Sequence, residues 1–239
     1  MAASVTGVDA CRGGWIAVTL AAGDDGDDGD DGPVSVAVRR RLGALPLPLG
    51  GIVGIDMPLG LLADGWRTAD LLARRALGRR GSCVFAIPPR PVWEQPCYAD
   101  ANRLCRELTG RGMSAQAWGL RVKLLEADLF RAAAPVPCCE VHPELSFATL
   151  AGAPLADSKH SAAGREIRRA LLTEAGIELP ARVPGAAEDD LLDAAAVAWS
   201  AARIAAGTAS TLTDPVQLGD DGREIAIRYL RRGASPSIA

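Results

Sequence analysis

The sequence predicts an α/β fold built on a mixed β-sheet, and three stretches predict it. A pair of strands near the start closes on a glycine turn, and a third strand of alternating character follows. A short apolar run, IVGIDMPLG at residues 52 to 60, then reads as a buried central strand that stops at a proline.

Ser4 to Asp9 and Trp15 to Leu20 are the first two strands, joined through Gly13-Gly14 as a β-hairpin, so Asp9 stands at a strand end. Residues 23 to 32, GDDGDDGDDG, place like charges close together with no apolar residue to bury, which predicts a disordered acidic loop. One copy, without flanking apolar residues, does not make a calcium-binding repeat array. PVSVAVRRRL alternates as the third strand. Ile52, Val53 and Ile55 read as strand rather than helix because Pro58 and Gly60 follow so soon. Asp56 therefore ends this strand, at the edge where ligands collect in open α/β sheets. A carboxylate beside so apolar a run must be paired, metal-bound or solvent-facing. An Asp that merely caps the turn before a proline is the simpler alternative.

Gly65 to Arg80 has helical spacing of Trp66, Leu71, Leu72 and Leu77, with Arg74, Arg75, Arg79 and Arg80 late in the helix, where basic groups favour its dipole. The proline-rich GSCVFAIPPRPVW predicts a loop, and Cys97 to Leu108 and Ala115 to Arg131 predict two more helices. PVPCCEVHPEL is a further strand, with Glu140 and His142 expected on one face by two-residue alternation. Helices follow from Glu144 to Ala151, through SAAGREIRRALLTEAG, and through DLLDAAAVAWSAARIAAG, before a short strand in REIAIRYLRR. Together these predict one domain over residues 1–239, with a helical insertion at about 62–132 and the acidic loop at 23–32.

A chain of 239 residues is long enough for a sizeable core, and no apolar run approaches the ~18 residues of a membrane span. The start shows no secretory signal, so a cytoplasmic protein with reduced thiols is expected; the six cysteines include no CxxC pair. A formal net charge of −3 offers no global attraction to nucleic acid, so any such binding must be local. Lys123 and Lys159 are the lysines of this arginine-rich chain.

Carboxylates at element boundaries carry the candidate chemistry: Asp9, Asp56 and Glu140 at strand ends, and Asp189, Asp190 and Asp193 opening a late helix. Asp189 is expected only to cap that helix. Asp190 and Asp193, three residues apart, share a face. If such groups converge, their repulsion must be offset by a cation, and carboxylates without thiolates suit Mg²⁺ or Mn²⁺. Divalent ions held this way support phosphodiester cleavage. His142 is a candidate proton donor or water-positioning group, with a hydrogen-bonded structural histidine as the alternative. Lys159 in ADSKH could meet a phosphate or neutralise a carboxylate. Arg79, Arg80 and Arg90 are candidate phosphate contacts.

GVDACRGGW, IDMPLGL, RRALGRRGSCVF followed by PPR, EVHPELSF and DDLLDAAAVAWSA, in that order, resemble the DUF429 family, described as predicted nucleases of ribonuclease H-like fold. The resemblance runs over about residues 5 to 230. It implies a central mixed five-stranded sheet, the first three strands antiparallel, with helices on both faces. It also implies metal ligation by Asp9, Asp56, Asp190 and Asp193, and a catalytic set that adds Glu140 and His142. Glu140, His142 and Glu144 belong to the family's own EVHPE motif. The expected activity is that of a Mg²⁺- or Mn²⁺-dependent nuclease acting on DNA or RNA. A homodimer is open to it, although the sequence does not give the oligomeric state.

Two other classes remain. An actin-like phosphotransferase would need two related halves, and no second copy of the GVDACRGG hairpin is present. A non-catalytic binding or scaffold protein would keep the sheet and use its acids as caps and ion-pair partners.

Overall fold

Alternating apolar residues form β1 (Val5–Cys11) and β2 (Gly14–Leu20), and β3 (Val34–Arg39) follows. The computed structural model describes residues 4–21 and 34–230, so the acidic segment expected at 23–32 lies outside the described residues. β4 (Val53–Ile55) is the buried run before Asp56. Then come α1 (Thr68–Leu77), α2 (Arg90–Trp93), α3 (Tyr98–Thr109), α4 (Ala115–Gly119) and α5 (Arg121–Ala133). β5 (Cys138–Val141), α6 (Pro143–Leu150), α7 (Ala162–Glu174) and α8 (Glu188–Ala205) precede β6 (Ser210–Leu218) and β7 (Glu224–Tyr229). Among the described residues no helix is long and apolar enough to cross a membrane.

The sheet order is β3-β2-β1-β4-β5-β7-β6. β1 pairs antiparallel with β2 and parallel with β4, and β4 pairs parallel with β5, so the sheet is mixed as expected. It has seven strands rather than five. β7 matches the expected tail strand, whereas β6 was not foreseen, because Pro215 within it removes a ladder donor and argues against a strand.

Two compact units share the chain. The first takes the residues up to Asp56, then Ala134–Ser210, and those from Arg228 onward; the second takes Met57–Ala133 and Thr211–Ile227.

In the first unit α8 lies along β1, β2 and β4, with α6 and α7 packed beside it. Val5, Ile16, Val18, Phe147, Leu172, Leu192 and Trp199 form its core, filled out by the alanines of α8. The run AAAVA lets the helix backbone approach the sheet. Gly7 and Gly54 are partners across the parallel β1/β4 register. A Cβ on Gly7 would stand 2.1 Å from both the carbonyl oxygen of Ala194 and the amide nitrogen of Ala198. One on Gly54 would stand 2.8 Å from a methyl of Val197. Backbone cannot yield to a methyl at that distance. Gly7→Ala is therefore expected to cost about 3 kcal/mol, the upper range of overpacking, read as a lowered urea midpoint.

The second unit is built from α1 to α5 with the residues of 211–227. Two of its arginines have structural partners. Arg131, buried on α5, donates to the carbonyls of Leu59 at 2.7 Å and Glu224 at 2.9 Å. Arg90 donates to Asp128 at 2.6 Å and also pairs with Asp220.

Candidate functional site

The glycine pair that admits α8 also aims the acids. Asp9 lies two residues beyond Gly7 and Asp56 two beyond Gly54, so alternation turns both toward the face that α8 covers. Asp193 directly precedes Ala194 and sits one helical turn before Val197. Ligand oxygens of Asp9, Asp56 and Asp193 lie within 4.8 Å of one another. A hydrogen bond from Asp56 N–H to the Val8 carbonyl, 2.8 Å, fixes the end of β4 beside β1. Another from Gly13 to the Gly185 carbonyl, 2.7 Å, ties the hairpin turn to the loop entering α8.

Little in the protein relieves this concentration of charge. Asp9 is 7% and Asp193 1% exposed. Burial, then the charges of Asp56 and Asp193, hold the Asp9 carboxyl well above its ordinary range. Burial pushes Asp56 up to about 7, with Lys159 opposing and Glu140 and Glu144 adding to the rise. Burial likewise raises Asp193 to about 6, against the pull of Lys159. The Asp9 carboxylate accepts its neighbour's Ala10 N–H at 2.6 Å. Lys159 Nζ donates to Asp193 Oδ2 at 2.5 Å. Although burial alone would lower it, Lys159 is held above its usual range by Asp193, Asp9 and Asp56. One ammonium does not balance three carboxylates, which, after burial, is why the acids are held toward their protonated forms. The buried Asp193 Oδ1 has no hydrogen-bond partner. A hard divalent cation fits both observations, since the donors are all carboxylate oxygens, it would favour their ionised form, and Asp193 Oδ1 is left for it.

The other acids have other tasks. Asp190, expected as a ligand, accepts the Ala187 N–H at 2.9 Å at the helix start and is not one of the three that converge. Asp189, expected to cap, instead pairs with His160 at 3.0 Å. Glu140 is buried on β5 in register with Ile55, and reaches Asp56 through its charge rather than as a member of the group. His142 lies just past the end of β5 as the N-cap of α6, its Nδ1 accepting from Glu144 N–H at 3.3 Å. Burial lowers its pKa. The strand ends before it because Pro143 opens the helix.

Residues 7–217 match the family model described as "Protein of unknown function (DUF429)". The chain belongs to the DUF429 family. No curated protein matches it. Among solved structures, RuvC of Thermus thermophilus is similar to this DUF429 chain at 16% identity, with a TM-score of 0.35 over 86% of this chain and 97% of that one.

Two features of this DUF429 site escaped the sequence. Arg168 on α7 is fully buried and donates to Glu144 of the EVHPE motif at 2.6 Å, to the Gly164 carbonyl at 2.9 Å and to the Asp157 carbonyl at 3.2 Å. Nothing in the sequence distinguishes it from its half-buried neighbours Arg165 and Arg169 in REIRRALL. The repeated Gly-x-Asp of GVD and GID is the signal that could have placed Asp9 and Asp56 side by side. Of the candidate phosphate contacts, Arg79 is exposed and Arg80 half-buried, both just after α1, and Arg90 is engaged with Asp128 and Asp220.

Proposed function

We propose that this protein is a nuclease that hydrolyses phosphodiester bonds of DNA or RNA with a divalent cation, Mg²⁺ or Mn²⁺, held by Asp9, Asp56 and Asp193. The convergence of three carboxylate oxygens within 4.8 Å, supplied by two adjacent strands (Asp9 inside β1, Asp56 just past β4) and one late helix, carries the reading. These are three of the four acids that the family resemblance implies as ligands in a ribonuclease H-like nuclease, Asp190 being the one left out. Such a cation supplies an activated water and stabilises the departing oxygen.

The chain's own groups then divide the remaining work. With a cation bound, Asp9 and Asp193 would be held ionised in a water-poor setting where electrostatic interactions are strong. Lys159 stands at the partly open side of the cluster, where an ammonium can meet phosphate. His142 and Glu140 are the candidate proton-transfer groups nearest the site, His142 being kept neutral by burial. Asp190 acts by holding the start of α8. Arg79 and Arg80 are the remaining candidates for phosphate contact.

A nuclease assay on single-stranded, duplex and branched DNA and on RNA, with Mg²⁺ or Mn²⁺, tests the reading. Wild-type cleavage that falls at least ~1000-fold in Asp56→Asn supports it; inactivity on every substrate with both metals counts against it. The Lys159–Asp193 pair favours a second reading, in which the lysine is the permanent counter-charge of a non-catalytic protein. That reading expects no stabilisation by either metal. The nuclease reading expects a rise of roughly 5–10 °C in Tm at a hundredfold excess over Kd.

A further inference from the structure

We infer that Lys159 is a resident counterion that the metal displaces, so that loading the site releases its ammonium from Asp193. This rests on the nuclease reading above. Asp193 offers one oxygen to Lys159 and keeps the other buried without a partner. A cation entering among Asp9, Asp56 and Asp193 meets a carboxylate already half-occupied by a monovalent charge. Two cations drawn to the same few oxygens repel each other, and the lysine is the one on a flexible stem.

The geometry confines the movement to that side chain. Its loop is pinned from both sides: Arg168 donates to the Asp157 carbonyl at 3.2 Å, His160 pairs with Asp189 at 3.0 Å, and Ser161 caps α7 through the Gly164 N–H at 3.0 Å. The Lys159 side chain is 32% exposed, against 2% for Asp193, so it has solvent to swing into while its partner has none. Glu144 of the EVHPE motif holds Arg168 and acts through it as a positioning residue for the lysine. The consequence is an ammonium presented to substrate only once the metal is in place.

The composition supplies the probe, because Lys123 and Lys159 are the only lysines. Protein labelled with ¹³C at lysine Cε should show two side-chain signals, the Lys159 one identified by its loss in Lys159→Gln. On titration with Mg²⁺ the Lys159 signal should shift with the same midpoint as the rise in Tm, while that of Lys123 stays in place. Lys159→Gln should bind Mg²⁺ at least about tenfold more tightly by calorimetry, having lost a nearby unit charge of the same sign. A Tm that rises with Mg²⁺ while the Lys159 signal stays put overturns this inference and leaves the nuclease reading intact, as does weaker Mg²⁺ binding by the variant. No rise in Tm with either metal overturns both.

Discussion

Arg168→Met is expected to lower stability by about 3–5 kcal/mol, because it removes the guanidinium paired with the buried Glu144 carboxylate. The guanidinium has no exposed surface, donates to Glu144 at 2.6 Å and lies 5.3 Å over the Phe147 ring. It also satisfies the carbonyls of Gly164 and Asp157. An isolated buried charge is far less favourable than a paired one, so the double variant Arg168→Met/Glu144→Leu should recover much of the loss. Urea midpoints of the two single variants and the double variant give the coupling directly. A loss below about 1 kcal/mol in Arg168→Met would mean that the pair contributes no more than a surface ion pair. The surface pairs of Arg165 and Arg169 with Glu188, about a third exposed, are expected to matter that little.

Asp193→Asn is expected to abolish stabilisation by metal while making the metal-free protein more stable at neutral pH. Both halves follow from the same crowding. Asp193 and Asp56 carry folded pKa values of about 6 and about 7, above the ~3.9 of an unfolded aspartate. Between those limits the folded state binds more protons than the unfolded one, so stability falls as pH rises. The metal-free wild type should thus lose stability from about pH 4 through about pH 7, most steeply between about pH 4.5 and pH 6, where both acids are protonated in the folded state and ionised in the unfolded one. Saturating Mg²⁺ should flatten that decline, since a bound cation favours the ionised carboxylates. In the Asn variant the decline should be shallower, and its metal-free stability at pH 7.5 higher by at least about 1 kcal/mol, the worth of one pKa unit. Thermal melts from pH 5 to 8, with EDTA or with Mg²⁺, provide the comparison. Equal slopes in both proteins would refute the crowding.

The same three acids show what a sequence can and cannot reveal. Asp9 and Asp56 were legible because each follows an apolar run; Asp56 does close its strand, whereas β1 runs two residues past Asp9 to Cys11, because the hairpin pairing continues to Gly14. That they lie on adjacent strands is a property of the register, and only the paired glycines hint at it. Helical spacing offered Asp190 and Asp193 equally. The choice fell to Asp193 because the N–H of Ala187 captures Asp190 at the helix start, a local hydrogen bond that spacing does not weigh. Asp189, expected only to cap, pairs with His160 from a different loop, a partner that local spacing does not reveal. The mixed sheet was readable from its first four strands, which sit close together in the chain. β6 was hidden by its proline. Arg168 was hidden by its type, because an arginine reads as surface until the fold supplies a buried carboxylate opposite it.

Crystals soaked in Mn²⁺ and measured for anomalous scattering show where a divalent ion binds. The expected result is a manganese peak within coordinating distance of carboxylate oxygens of Asp9, Asp56 and Asp193, absent from Asp193→Asn crystals soaked alike. A map from well-soaked crystals with no peak among these three residues, or with manganese bound only elsewhere, would contradict it.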